Sequence, residues 1–90
     1  MHAVVVRATI GDFELAQKGL HEQVVPRVSQ APGLVAAYWT RSDDRTNGVS
    51  MLVFESEEAA RGAAEMIGNA PLPETVALDS VEVREVVANL

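Results

Sequence analysis

Ninety residues, a formal charge of −6 and no cysteine set the bounds before any motif is read. The length fits one domain over 1–90. The absence of thiols excludes disulfides, thiolate catalysis and cysteine zinc sites, and the acidic balance argues against a nucleic-acid footprint or an anionic membrane partner.

A hydrophobic share of 48% marks a folded chain rather than a disordered one. The start, Met1 to Arg7, lacks the basic n-region of a signal peptide, and Arg7 interrupts its apolar run. No stretch approaches the ~18 apolar residues of a membrane span, so a cytoplasmic location is expected.

Ala3 to Ile10 reads as the first strand, with Val4, Val6, Ala8 and Ile10 on one face and Ala3, Val5, Arg7 and Thr9 on the other. Both faces are largely apolar, so both are expected to be covered. Gly11-Asp12 ends the strand, and Asp12 suits an N-cap. A helix follows from about Phe13 to Gln30, its stripe formed by Phe13, Ala16, Leu20, Val24 and Val28. Pro26 removes a hydrogen bond inside that stretch and clashes with the Glu22 carbonyl, which predicts a kink or a stop near Val25.

Pro32-Gly33 breaks the chain before a strand from Leu34 to Arg41. Ser42 to Gly48 is a polar turn cluster. Asn47-Gly48 is a strong hairpin signal, yet a two-residue turn would draw Asp43 and Asp44 into the strand. A longer loop is therefore preferred, with Arg41 near Val49. Val49 to Phe54 forms the third strand. Ser56 caps a second helix, about Glu57 to Ile67, whose first-turn carboxylates suit the helix dipole. Gly68-Asn69 stops it, Asn69 to Pro73 is a loop stiffened by two prolines, and Leu78 to Val87 is the last strand.

The order β-α-β-β-α-β predicts an α+β, ferredoxin-like fold. Its four-stranded antiparallel sheet has order 4-1-3-2 and both helices on one face. The other face would expose Val5, Leu52 and Val86, with Trp39 as a candidate fourth member, and a second copy would cover it in a symmetric homodimer.

Val25-Pro26-Arg27-Val28, Ala31-Pro32-Gly33-Leu34, Tyr38-Trp39 and Phe54-Glu55-Ser56-Glu57-Glu58-Ala59-Ala60, in this order, resemble the dimeric α/β-barrel superfamily. The nearest group is that of antibiotic-biosynthesis-monooxygenase-like proteins. The resemblance implies homodimers whose sheets form a barrel, with a small-molecule cavity between sheet and helices. It also implies cofactor-independent oxidation of hydrophobic phenols or quinols; some members instead degrade haem, and many are small proteins of unknown role. The haem degraders use a Trp near the start of helix two, a His further along it and an Asn on strand one. Here Phe54 and Glu55 stand at that junction, the second helix has no His and the first strand no Asn. No metal and no cofactor are expected.

The candidate groups are few. His2 and His21 titrate near neutrality, but they lie far apart and lack metal-ligand spacing, and a terminal residue and a half-exposed helix residue are the plainer readings. Arg7, Glu82 and Arg84 share the face away from the helices, as an interface ion-pair cluster or as anchors for an acidic or phenolate ligand. Tyr38 and Trp39 point to opposite faces, one under the first helix and the other toward a partner or cavity. His21 and Arg7 are thus the catalytic candidates, and Arg7, Tyr38, Trp39 and Arg84 the ligand-binding ones. The alternative is a non-catalytic dimer that binds a metabolite or serves structure alone.

Overall fold

The computed structural model describes residues 1–69 and 76–90. β1 (His2–Ile10) ends at Gly11-Asp12, and Asp12 caps α1 (Phe13–Gly19), its carboxylate accepting from the Leu15 amide at 3.2 Å. The helical run does not stop at Gly19. Leu20–Val24 continues it as a π turn, and α2 (Val25–Val28) closes it.

Pro26 explains the π turn. Proline has no N–H to donate, and its ring would meet the Glu22 carbonyl if the helix stayed α. In the widened turn the Val25 amide donates to the Leu20 carbonyl instead, and Pro26 sits in the first turn of α2, where proline is tolerated. The predicted kink or stop near Val25 is therefore a local widening.

At the Pro32-Gly33 break, Gly33 takes φ 77°. A Cβ there would lie 3.1 Å from the Ala59 Cβ, so the turn also needs glycine for its close approach to the second helix. β2 (Leu34–Trp39) and β3 (Asn47–Phe54) follow. Between them the Arg45 amide donates to the Ser42 carbonyl at 3.0 Å and the Ser42 amide to the Asn47 carbonyl at 2.9 Å. This is the longer loop that was expected. Its left-handed residue is Arg45, at φ 62°, while Asn47 and Gly48 belong to β3. Ser56 caps α3 (Glu57–Asn69), its hydroxyl accepting from the Ala59 amide at 3.1 Å, and α3 runs through the expected Gly68-Asn69 stop. β4 (Val76–Glu85) completes the sheet. Most of the expected proline loop falls at 70–75, outside the described residues.

The strands are antiparallel in the order β2-β3-β1-β4, the predicted order viewed from the other edge. Directly paired residues share a face. Val4 pairs with Leu52 and Val83, and Leu52 with Ala37, so these four face one way. Val4, Leu52, Phe54 and Ala60 form the buried core, joined by Val28 and Ala31 from the first helical run and Ala59, Ala63, Ala64 and Ile67 from α3. Both helical layers thus cover this face.

Two bulges set the phases. In β2, Leu34 pairs with Phe54 and Ala36 with Val53, leaving Val35 as an extra residue. In β4, Ser80 pairs with Arg7 and Leu78 with Ala8, and the extra Asp79 accepts from the Thr9 hydroxyl at 2.8 Å.

The phases correct the expected composition of the uncovered face. Leu52 lies on the helix side and is 2% exposed. Trp39, paired with Ser50 and through it with Val6, also faces the helices. Val5 does belong to the uncovered face but is only 5% exposed, shielded within the sheet between Met51 and Glu82. Val86 lies past β4, half-buried, its amide donating to the Met1 carbonyl. Tyr38 (64%) and Met51 (44%), paired with each other, are large exposed apolar groups of that face, and Val35 at the bulge is exposed as well. Among the described residues no helix is long and apolar enough to cross a membrane.

Candidate functional site

The covered face is sealed at one end and half-open at the other. Val4, Leu52 and Phe54 are buried, whereas Val6, Ile10, Trp39, Ser50 and Val81, on the same face, stay half-exposed. The first helical run spans this contrast. At its end Val28 packs on the core. At its start the Phe13 ring meets the hairpin loop, with the Arg45 and Arg41 guanidinium carbons 4.7 and 5.0 Å from its centroid. Among the described residues no side chain of α1, the π turn or α2 is fully buried.

Volume explains the half-cover. Ala8, Ala37, Gly48 and Ser50 on this face are small, and so are Ala16 and Gly19 in the first helical run. Small side chains on both layers cover less surface, and Trp39 and its neighbours stay partly open to solvent. The result is a partly covered apolar strip, the Trp39 hollow, which carries one flat aromatic side chain and the Ser50 hydroxyl. Such a shape suits a small, flat, mainly apolar molecule.

A second concavity lies elsewhere. A cleft of about 400 Å³ separates the Ala31-Pro32 turn from α3, lined by Ala31, Pro32, Phe54, Ala59, Ala63 and Met66, with Ser56 and Glu58 among its polar neighbours. It touches none of the candidate catalytic or ligand-binding residues named from the sequence, though it is lined by motif residues that carry the resemblance.

Those residues are divided by the sheet. Arg7, Tyr38 and Arg84 share the uncovered face: Arg7 pairs with Val49 and Ser80, Tyr38 with Met51, and Arg84 with Ala3. Arg84 donates its Nε–H to Glu82 at 2.9 Å, so the expected charge cluster is partly formed. Trp39 stands on the opposite face. His21 is exposed on the π turn. His2, on the covered face, sets its Nε2 3.2 Å from a Glu57 oxygen at the start of α3. Among the described residues no three metal-ligating side chains converge.

In the sequence Phe13, Arg41 and Ser50 read as structural residues only. A signal for Arg41 was present: it continues the alternation of Ala37 and Trp39, provided that pairing outlasts the strand. It does, since the Thr40 amide donates to the Val49 carbonyl at 3.0 Å.

No protein-family model and no curated protein matches the chain. Solved structures do. A dimeric ferredoxin-like protein from an uncultured marine organism is 15% identical with a TM-score of 0.67, covering 100% of this chain and 98% of that one. The monooxygenase ActVA-Orf6 of Streptomyces coelicolor, solved with nanaomycin D, is 21% identical with a TM-score of 0.55, covering 98% of this chain and 90% of that one. The heme-degrader MhuD from Mycobacterium tuberculosis, solved with two hemes in its active site, is 22% identical with a TM-score of 0.56, covering 97% of this chain and 98% of that one. The fold is ferredoxin-like. The resemblance read from the motifs thus extends to the whole architecture, and at these identities the likeness speaks for the fold alone.

Proposed function

We propose that the chain works as a homodimer, joined through its uncovered sheet face, and that each copy oxidises a hydrophobic phenolic or quinone-like molecule held beneath its first helical run. The observation that carries this reading is the half-exposed Trp39 indole on the sheet face that the two helical layers cover only in part. The fold shared with ActVA-Orf6, a monooxygenase, supports the reaction class. Pairing with another copy is supported by the dimeric ferredoxin-like protein and by the exposed Tyr38 and Met51.

The chemistry needs little from the protein. A phenol with a free para position gives up its O–H and para C–H hydrogens. Dioxygen supplies one oxygen atom to the resulting quinone and the other to water. The substrate provides the electrons, so the chain has to bind, orient and exclude water. Trp39 is the wall on which the ring stacks, and Ser50 is the partner for the phenol oxygen.

A haem does not suit the donors present. His2 is engaged with Glu57, His21 is exposed on the π turn, and α3 holds neither His nor Trp. The second reading, a metabolite-binding dimer without catalysis, is favoured by the same two facts about His21 and Arg7: one is exposed on the helix, the other lies across the sheet from the hollow.

Oxygen uptake with a panel of 1-naphthols unsubstituted at the para carbon separates the two readings. The expected result is turnover above the spontaneous rate, with a product that gains one oxygen and loses two hydrogens, falling about tenfold or more in Trp39→Ala as about 1.4 kcal/mol of stacking and orientation is lost. Binding without oxygen uptake across the panel would leave the second reading in place.

A further inference from the structure

We infer that Arg41 and Arg45 form an anion clamp at the mouth of the Trp39 hollow, and that its ligand is a flat aromatic molecule bearing a carboxylate. The inference rests on the hollow being the ligand site and adds what the ligand must carry.

Three observations converge on the clamp. First, both guanidinium carbons lie within 5.0 Å of one ring centroid, that of Phe13. The two cations are then no more than about 10 Å apart, close to one Debye length in ordinary salt. Gathering like charges costs free energy, and here an aromatic quadrupole holds them in place.

Second, among the described residues none of the nearby carboxylates pairs with either arginine: Asp43 makes no ion pair, and Asp12 caps α1 through the Leu15 amide. Asp44 lies in the same loop, yet its Oδ1 accepts from the Ser42 and Thr46 hydroxyls, each at 2.7 Å, and from the Thr46 amide at 3.1 Å. Its pKa is held below the ordinary value by those hydrogen bonds, that of Ser42 first, and neither arginine contributes to the shift. The ion pairs among the described residues join His2 and Arg61 to Glu57 and Arg84 to Glu82, so Arg41 and Arg45 are without a carboxylate partner there.

Third, the position is right. Hydrogen bonds from the Thr40 amide to Val49 and from the Ser42 amide to Asn47 carry the β2–β3 pairing past Trp39. Arg41 therefore falls on the same face as Trp39, one alternation nearer the hairpin, and its contact with Phe13 shows it reaching the helical layer. Arg45 reaches the same ring from within the loop, in a left-handed conformation unusual for arginine.

A planar guanidinium fork matches a carboxylate, and two forks beside an apolar wall read a ligand with a flat body and a charged end. In a chain of net charge −6, this pair also gives an acidic ligand a local attraction that the whole surface denies it.

The test uses the intact protein and two probes of one shape, 2-naphthoate and 2-naphthamide. Binding is followed through the indole N–H signal of Trp39, the one tryptophan in the chain. The expected result is that both probes shift that signal and that naphthoate binds about tenfold more tightly, an advantage that shrinks as salt is raised. Arg41→Gln and Arg45→Gln should each remove most of the advantage while leaving naphthamide unchanged. Arg61→Gln, which deletes a charge on α3, should alter neither probe.

Equal affinity for acid and amide overturns the clamp and leaves the hollow standing. A naphthoate preference that survives both arginine substitutions, or vanishes equally in Arg61→Gln, also overturns it. If neither probe moves the Trp39 signal, the hollow fails as the ligand site and the clamp falls with it.

Discussion

Glu57 begins α3 and is held from two sides. Arg61, one turn along, donates its Nε–H at 3.1 Å, and His2 stands 3.2 Å from the other oxygen. These neighbours hold the Glu57 carboxyl below the ordinary glutamate range, the Arg61 hydrogen bond contributing most, then the Arg61 charge, then that of His2. A folded-state pKa below the unfolded one stabilises the fold above the ordinary glutamate value, about 4.3, and that contribution is lost as pH falls through the folded value. The group is open to solvent, so the contribution is small. A carboxyl titration by NMR is expected to give a depressed Glu57 midpoint that rises in Arg61→Ala; an unchanged midpoint would break the assignment. Gly48 is a second position where a single atom decides. A Cβ there would stand 2.9 Å from the Thr40 carbonyl oxygen, which belongs to the hairpin backbone and cannot swing aside. Gly48→Ala is expected to cost roughly 1–3 kcal/mol in urea denaturation, because β2 must move away from β3 to admit it. A loss below 0.5 kcal/mol would show that the hairpin yields easily there.

Element by element, the helix starts are held by single side chains. Ser56→Ala removes the acceptor of the Ala59 amide and is expected to destabilise the fold by about 1 kcal/mol, with Ser56→Asp restoring it and the urea m-value unchanged. An Ala variant as stable as the parent would mean that Ser56 does not cap. These starts were legible in the sequence because a cap is a local event: Asp12 and Ser56 need only their own next turn. Pro32-Gly33 and the alternation along β1 were legible for the same reason. The faces of β2 and β3 were not. Val49, Met51 and Val53 are as apolar as Leu52 and Phe54, so β3 carries no contrast to show which set is inside. On β2 the extra residue Val35 shifts the phase, so Leu34 and Trp39, an odd number of residues apart, share the covered face. A bulge depends on pairing between strands and leaves no mark at the bulged position itself. The π turn shows the intermediate case. Pro26 announced a disturbance, but whether the chain answers by kinking, stopping or widening depends on whether the stripe beyond it must still reach the core. Here Val28 does reach it.

Across the whole molecule the sheet has one face covered in part by helices and one carrying Tyr38 and Met51 in direct pairing, beside Val49 and Val53 and flanked by Arg7 and the Arg84–Glu82 pair. An apolar centre with charged residues around it is the composition of a protein interface, and a two-fold axis would bring the same patch from each copy together. In such an interface every substitution acts twice. Tyr38→Glu would set two carboxylates into the centre of the contact, where desolvation and like charge both oppose association. Light scattering at micromolar concentration is expected to give about twice the 9.6 kDa chain mass for the parent and the single-chain mass for Tyr38→Glu. Met66→Glu places the same charge on α3, across the sheet, beside the second cleft, and should leave the dimer whole. A parent already at 9.6 kDa would remove the homodimer. Dissociation by Met66→Glu with Tyr38→Glu intact would move the contact to the α3 cleft. The uncovered sheet would then stay open to solvent, and Arg7 and Arg84, which no longer flank a partner, would be free to bind a ligand there instead.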